Sequence, residues 1–354
     1  MTPNGGRAAL FLTGGALALP ALLKPIQNPD LFWHLSAGRR LAETGNFVRE
    51  DFLSWTLAGA PWSNFEWLPQ LLYHALHSAG GFGALFLLKT ALLAACLVPL
   101  WGILRLNSRE AYAPALLPLF SFAILPHSDL RPDNFSILLF TLVLWRLEAL
   151  RSRRAGPSPA DIAGGAALFL LWGNLHPGFL FGLALIAAYG FGSARAGVPR
   201  GPWAALWCAC AAAPLVNPNG WLLYGVAAGH QSQASELGRY ISEWARPSFG
   251  EPSHRPALLA AAAAALLLAR GFLKKRPAPP EHILCFVFFA AAGLLHSRHM
   301  LFVVPLLAGP LAALLPEASG RRSRAGQAAV VAALLVFALP PLDQLLDRKG
   351  ALPY

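Results

Sequence analysis

Charged residues are scarce in this chain: Asp, Glu, Lys and Arg make up 13% of its 354 residues, against 56% hydrophobic residues. Soluble domains carry roughly a quarter charged residues, so a water-exposed surface of the usual kind is excluded. Cysteine is scarce too. Cys96, Cys208, Cys210 and Cys285 all fall within apolar stretches, which excludes a disulfide framework or a zinc cluster and makes them small buried hydrophobes. Acids are fewer than bases, 17 against 28, for a net charge of +11. A nucleic-acid partner would need those bases gathered on one soluble face, whereas here they are dispersed between apolar blocks.

The apolar blocks themselves dominate the chain. They lie near residues 8–24, 84–104, 111–126, 135–150, 160–175, 178–193, 203–217, 257–273, 282–295, 300–315 and 325–341. Their lengths approach a bilayer's thickness, and unbroken apolar runs of this kind belong to helices rather than to a transmembrane barrel. The expected fold is all-α, a polytopic transmembrane bundle of about eleven helices forming one membrane domain over residues 1–354. Arg7, the apolar residues 8–23 and Ala16-Leu17-Ala18 also resemble a secretory signal peptide. We take the segment as an uncleaved first helix, because the residues that follow it carry chemistry.

With the N-terminus in the cytoplasm, alternate loops hold sixteen cations against five acids. The opposite loops hold eleven cations and twelve acids, and Lys89 sits inside a block. This asymmetry is the positive-inside pattern. It predicts a periplasmic C-terminus and two long periplasmic loops, 25–83 and 217–256, with interfacial helices in the first.

The first of these loops opens on Asn28-Pro29-Asp30-Leu31-Phe32-Trp33-His34-Leu35. A helix starting at Pro29 puts Asp30 and His34 on one face. Capping explains the same residues in a plainer way: Asn as N-cap, proline in the first turn, an acid favoured by the helix dipole. Further on, aromatic residues flank Asp51 and Glu66, which read either as a second carboxylate near Asp30 (Glu66) or as solvated acids. Four more turns on that side are short and polar: His127 to Asp133, Trp172 to Gly178, Asn217-Pro218-Asn219-Gly220, and His296 to His299. Ionisable groups at membrane depth usually face an interior cavity. Arg131 and Arg298 carry the planar fork that grips phosphate, or else snorkel to the headgroups. Asn217-Pro218-Asn219-Gly220 reads as a turn.

Taken in order, Asp30, Phe32-Trp33-His34-Leu35, Glu66-Trp67-Leu68, Arg131-Pro132, Trp172-Gly173-Asn174-Leu175-His176, Asn217-Pro218 and Glu243-Trp244 resemble the GT-C superfamily. These are polytopic glycosyltransferases using polyprenyl-phosphate-linked sugars, and the likeness is to bacterial members of the family 39 mannosyltransferase kind. The resemblance implies a membrane glycosyltransferase of a bacterial inner membrane, working at its periplasmic face on a lipid, glycan or protein acceptor. It implies Asp30 as the catalytic base and Glu66 as the second carboxylate. Arg131 and Arg298 would hold the lipid phosphate, while His34, Asn174, His176 and Glu243 complete the substrate site. A divalent cation, Mg or Mn, would fit near His34 and Glu66. Two departures go with it: one acid at Asn28-Pro29-Asp30 where relatives carry paired acids, and no large C-terminal outside domain within these residues. A lipid or solute transporter, with Lys89 as its mid-helix charge, and a catalytically silent protein of the same fold are the other readings.

Overall fold

Helices account for nearly all regular structure in the computed structural model, which describes residues 3–308 and 314–315. The expected block at 325–341 and the C-terminal tail lie outside the described residues. No β-strand occurs among the described residues, only an isolated bridge between Glu50 and Pro61. The chain is all-α.

Among the described residues fourteen α-helices follow one another: α1 Pro3–Leu22, α2 Asp30–Thr44, α3 Trp67–Ala95, α4 Leu97–Leu106, α5 Ala113–Ala123, α6 Asp133–Arg153, α7 Pro159–Leu175, α8 Phe179–Arg195, α9 Arg200–Ala212, α10 Leu222–Ser232, α11 Ala234–Tyr240, α12 Arg255–Leu273, α13 Pro280–Leu295 and α14 Val304–Ala308. Among the same residues two stretches are long and apolar enough to cross a membrane, Trp67–Leu106 and Arg255–Leu273. Several blocks expected to span are shorter. The 13 residues of α9 rise about 20 Å, against a hydrocarbon core of roughly 30 Å, and a 3₁₀ turn at Ala213–Leu215 extends it.

Two breaks shape the first long span. Gly80 and Gly81 leave helical geometry, Gly81 at φ 60° and ψ −155°, a region open essentially to glycine alone. The break divides a polar first half of α3 from the apolar remainder. The second break falls at Cys96, where Pro99 lacks an N–H and its ring crowds the carbonyl of Ala95, so α4 starts afresh.

The helices pack α1 against α5, α2 against α3, α4 against α6, and α8 against α6, α9 and α13. Tyr73, Phe120, Phe140, Phe169, Trp172, Tyr189 and Phe289 are buried among them. At one end of the bundle Arg7 pairs with Glu110 at 2.9 Å and Arg146 pairs with Asp161. Ser158 and Asp161 cap α7 reciprocally. Glu148 belongs to this end as well, but not to a loop as the charge count assumes. It is buried in α6 and meets Arg151 at 2.8 Å, His282 at 2.7 Å and the Tyr189 hydroxyl, so the carboxylate ties α6 to α8 and α13 with its charge matched.

Lys89 is fully buried, and its ammonium donates to the carbonyl of Lys24, while the Thr90 hydroxyl donates to that of Leu22 at 3.4 Å. Carbonyls just past a helix end have no partner within the helix. Lys89 thus closes the C-terminal end of α1.

Candidate functional site

The loop from α1 to α2 starts the site. Asn28 Oδ1 accepts the Asp30 N–H at 3.1 Å, but the N-cap of α2 is Pro29, which makes no side-chain cap bond, so Asn28 closes a turn just before the helix instead of being the N-cap the plainer reading expects. Because Asn28 satisfies the backbone, the Asp30 carboxylate is left to point elsewhere. It approaches Arg131 Nη2 at 3.9 Å.

Helix α2 is placed by a close crossing with α3. A Cβ at Gly38 would lie 2.0 Å from the Gln70 carbonyl oxygen, so only glycine allows the contact. Gln70 in turn exchanges two side-chain hydrogen bonds with Asn64, at 2.8 and 2.7 Å. Asn219 donates to the Asn64 carbonyl at 3.1 Å. The Asn217-Pro218-Asn219-Gly220 segment is a turn, closed by the Gly220 N–H on the Asn217 carbonyl at 2.8 Å, and it clamps the first long loop.

These supports bring Asp30, Trp33, His34, Glu66, Arg131, Asp133, His176, Glu243, Trp244 and Arg298 around one polar cavity of about 200 Å³. Seven of the eight residues singled out from the sequence are among them. Beside it lies a larger cavity of about 550 Å³, faced by Phe65, Leu180, Phe181, Tyr224, Phe288 and Phe302. Glu66, Asp133, His176, Trp244 and Arg298 border both. A polar chamber therefore adjoins an apolar one.

Arg131 binds Glu243 through Nη1. Burial alone would lift the Glu243 carboxyl, but Arg131, with His127 and Arg298 nearby, holds it below the usual carboxylate range. The loop bearing Glu243 is fixed by the last turn of the site: His296 Nδ1 contacts the Trp244 carbonyl at 2.8 Å and the Ser297 N–H reaches Ala245 at 2.9 Å. Arg298 lies over the Trp244 ring, 4.7 Å from its centre. No carboxylate is within ion-pair distance of Arg298 among the described residues, and Arg298 borders both chambers.

His176 ends α7. The Gly178 N–H donates to its Nδ1 at 3.0 Å, which assigns the neutral ring's proton to Nε2. Nε2 stands 3.7 Å from Glu66. Burial, with Asp133 adding its charge, pushes the Glu66 carboxyl up to about 8. Such a shift leaves Glu66 protonated at neutral pH. His34 is driven the other way, down to about 3 by burial and then by Arg131, so its ring is neutral beside Trp33.

Against known proteins, the chain matches no protein-family model and no curated protein.

Asn174 corrects the expected site. It does not line the polar cavity. Its amide donates to the Leu170 and Val216 carbonyls at 2.8 and 2.9 Å, and its oxygen accepts from Trp67 and Asn217 at 3.0 and 3.2 Å. All its capacity is spent joining α7 to α3 and the turn at Asn217. Asp51 likewise folds its own loop, accepting from the Leu53 and Ser54 backbone at 2.8 and 2.9 Å. In compensation, Asp133 enters the site. It is 6% exposed, and its Oδ1 has no hydrogen-bond partner among the described residues.

No group of three His, Cys, Asp or Glu side chains is arranged as metal ligands among the described residues, and Glu243 is engaged by Arg131; no step is derived through a metal.

Proposed function

We propose that this protein is a polytopic membrane glycosyltransferase of the GT-C kind, moving a sugar from a polyprenyl-phosphate donor to a lipid, glycan or protein acceptor at the periplasmic face of a bacterial inner membrane. The observation that carries the reading is the two-part cavity with Arg298 at its seam. A lipid-linked sugar phosphate is polar at one end and apolar at the other. Its prenyl chain suits the aromatic chamber, its phosphate suits Arg298 at the boundary, and its sugar suits the polar chamber.

In this reading the acceptor hydroxyl lies against Asp30. The acceptor oxygen bonds to the anomeric carbon as the bond from that carbon to the phosphate oxygen breaks. The proton passes to Asp30, and the bonding pair leaves with the phosphate. Arg298, with Arg131 beside it, offsets the charge that develops on the leaving group. Glu66, protonated, and His176 through its Nε2–H donate to sugar or acceptor hydroxyls. Attack from the face opposite the phosphate inverts the anomeric centre.

The transporter reading leans on Lys89, whose ammonium is spent on the end of α1. Transfer of labelled sugar from a panel of polyprenyl-phosphate donors in proteoliposomes tests the proposal. Wild type is expected to transfer, and Asp30→Asn to lose on the order of 10²-fold or more, as removal of a general base does. Equal transfer by both removes Asp30 from the chemistry. No transfer by wild type across the panel leaves a catalytically silent protein of this fold.

A further inference from the structure

A second concave site lies on the far part of α2. It is a groove of about 820 Å³ between α2, the first half of α3 and the loop at Phe52 and Leu53, and it shares no lining residue with the cavity around Asp30. Arg39 and Arg40 of α2 line it together with His74 and His77, one helical turn apart on α3. The Arg40 guanidinium is set over the Phe52 ring, 4.4 Å from its centre. One acid, Glu43, is present and pairs with the exposed Arg39 at 3.4 Å. The groove thus offers two planar guanidinium forks and two imidazoles against a single carboxylate.

Such a donor set selects an anion, and guanidinium forks favour phosphate and carboxylate geometry. Its position selects the source. Ser78 lines the groove immediately before the Gly80–Gly81 break, after which α3 becomes an apolar span. The His77 ring rests on Phe82 just past that break, 4.9 Å between centres. With α3 crossing a bilayer beyond the break, for which it is long and apolar enough, the groove would stand at headgroup level. Its loop wall continues into Trp55, 97% exposed, and Leu57, 62% exposed, residues of the kind that settle into a bilayer's interfacial belt.

We propose that this groove docks the phosphate headgroup of an anionic membrane lipid, at a site separate from the catalytic cavity. The proposal does not rest on glycosyl transfer. Helix α2 joins the two places, with Asp30 at one end and the arginines near the other, so a lipid seated on Arg39 and Arg40 braces the helix that carries the carboxylate.

The test uses the full-length protein in detergent, incubated with phosphatidylglycerol or with phosphatidylcholine of the same acyl chains, and counts retained lipid per protein by native mass spectrometry. Phosphatidylglycerol is expected to be retained over phosphatidylcholine, and the double variant Arg39→Gln/Arg40→Gln to lose about tenfold or more of that retention. Because Arg40 also supports Phe52, the variant Arg39→Gln/His77→Gln keeps that stack and is expected to show a loss in the same direction. Equal retention of the two lipids, or undiminished phosphatidylglycerol in both variants, overturns the proposal. Displacement by glycerol phosphate as readily as by phosphatidylglycerol itself also overturns it, since the ligand is then a free phosphate rather than a lipid.

Discussion

Glu66 is the residue at which burial, charge and pH meet most directly. Its carboxyl titrates near 8 in the folded protein against an ordinary 4.5. Between these values the folded chain keeps a proton that the unfolded chain has released, so stability is full below about pH 4.5 and declines as pH rises towards 8. Glutamine has the same shape and cannot ionise. The melting temperature of wild type is therefore expected to fall relative to Glu66→Gln between pH 5 and 8.5, by on the order of ten degrees at about 1.4 kcal/mol per pH unit and roughly 2–4 °C per kcal/mol. Thermal melts of both proteins across that range check it; parallel curves mean that Glu66 ionises freely in the folded state. The sequence shows Glu66 as a candidate because it follows aromatic residues in a long loop, but not its protonation, which comes first from its burial and then from Asp133 arriving on α6. Asp133 itself is hidden by an innocent position: an acid after proline at a helix start reads as a dipole partner. Asn174 is the opposite case. Its place in a polar turn suggests ligand contact, and only the four groups gathered around its amide reveal a clasp.

At the scale of elements, apolar length finds most helices but not where they stop. The expected block at 135–150 extends to Asp133–Arg153 because Arg146, Glu148 and Arg151 find partners without leaving the helix. The block at 84–104 is preceded by a further helical stretch from Trp67, set off from it by the kink at Gly80 and Gly81. The crossing of α2 and α3 is legible only in hindsight: Gly38 looks like a weak point in an interfacial helix, yet a methyl there meets the Gln70 carbonyl. Gly38→Ala is expected to cost about 1–3 kcal/mol by overpacking. It should also swing Asp30 away from Arg131, so that sugar transfer falls by more than the fraction unfolded accounts for. Folded fraction and transfer rate measured on the same preparation decide this; a rate loss that only tracks folding places Gly38 in stability alone. The same crossing explains how so long a loop holds a carboxylate in register: Gly38 seats α2 against the Gln70 carbonyl, and Gln70 is itself held by Asn64.

At the scale of the whole molecule, polar chemistry separates to opposite ends of the bundle. Asp30, Arg131, His176, Glu243 and Arg298 converge at one end. Arg7 with Glu110 and Arg146 with Asp161 lie at the other. The ion pair between Arg7 and Glu110 places the start of α1 beside the connection between α4 and α5. If the basic end faces the cytoplasm, the exposed tip at Trp55 faces the periplasm, and Ser152, exposed near the end of α6, faces the cytoplasm. The free and exposed Cys208 is first replaced by serine, after which Trp55→Cys and Ser152→Cys are made singly. A membrane-impermeant maleimide applied to intact spheroplasts is expected to label Trp55→Cys and to spare Ser152→Cys until the membrane is opened. Labelling in the reverse order inverts the orientation and puts the Asp30 cavity in the cytoplasm, where a periplasmic transferase has no substrate. Equal labelling of both in sealed cells means that the chain between them does not cross the bilayer an odd number of times, and the alternation inferred from the basic loops fails at α3 to α6.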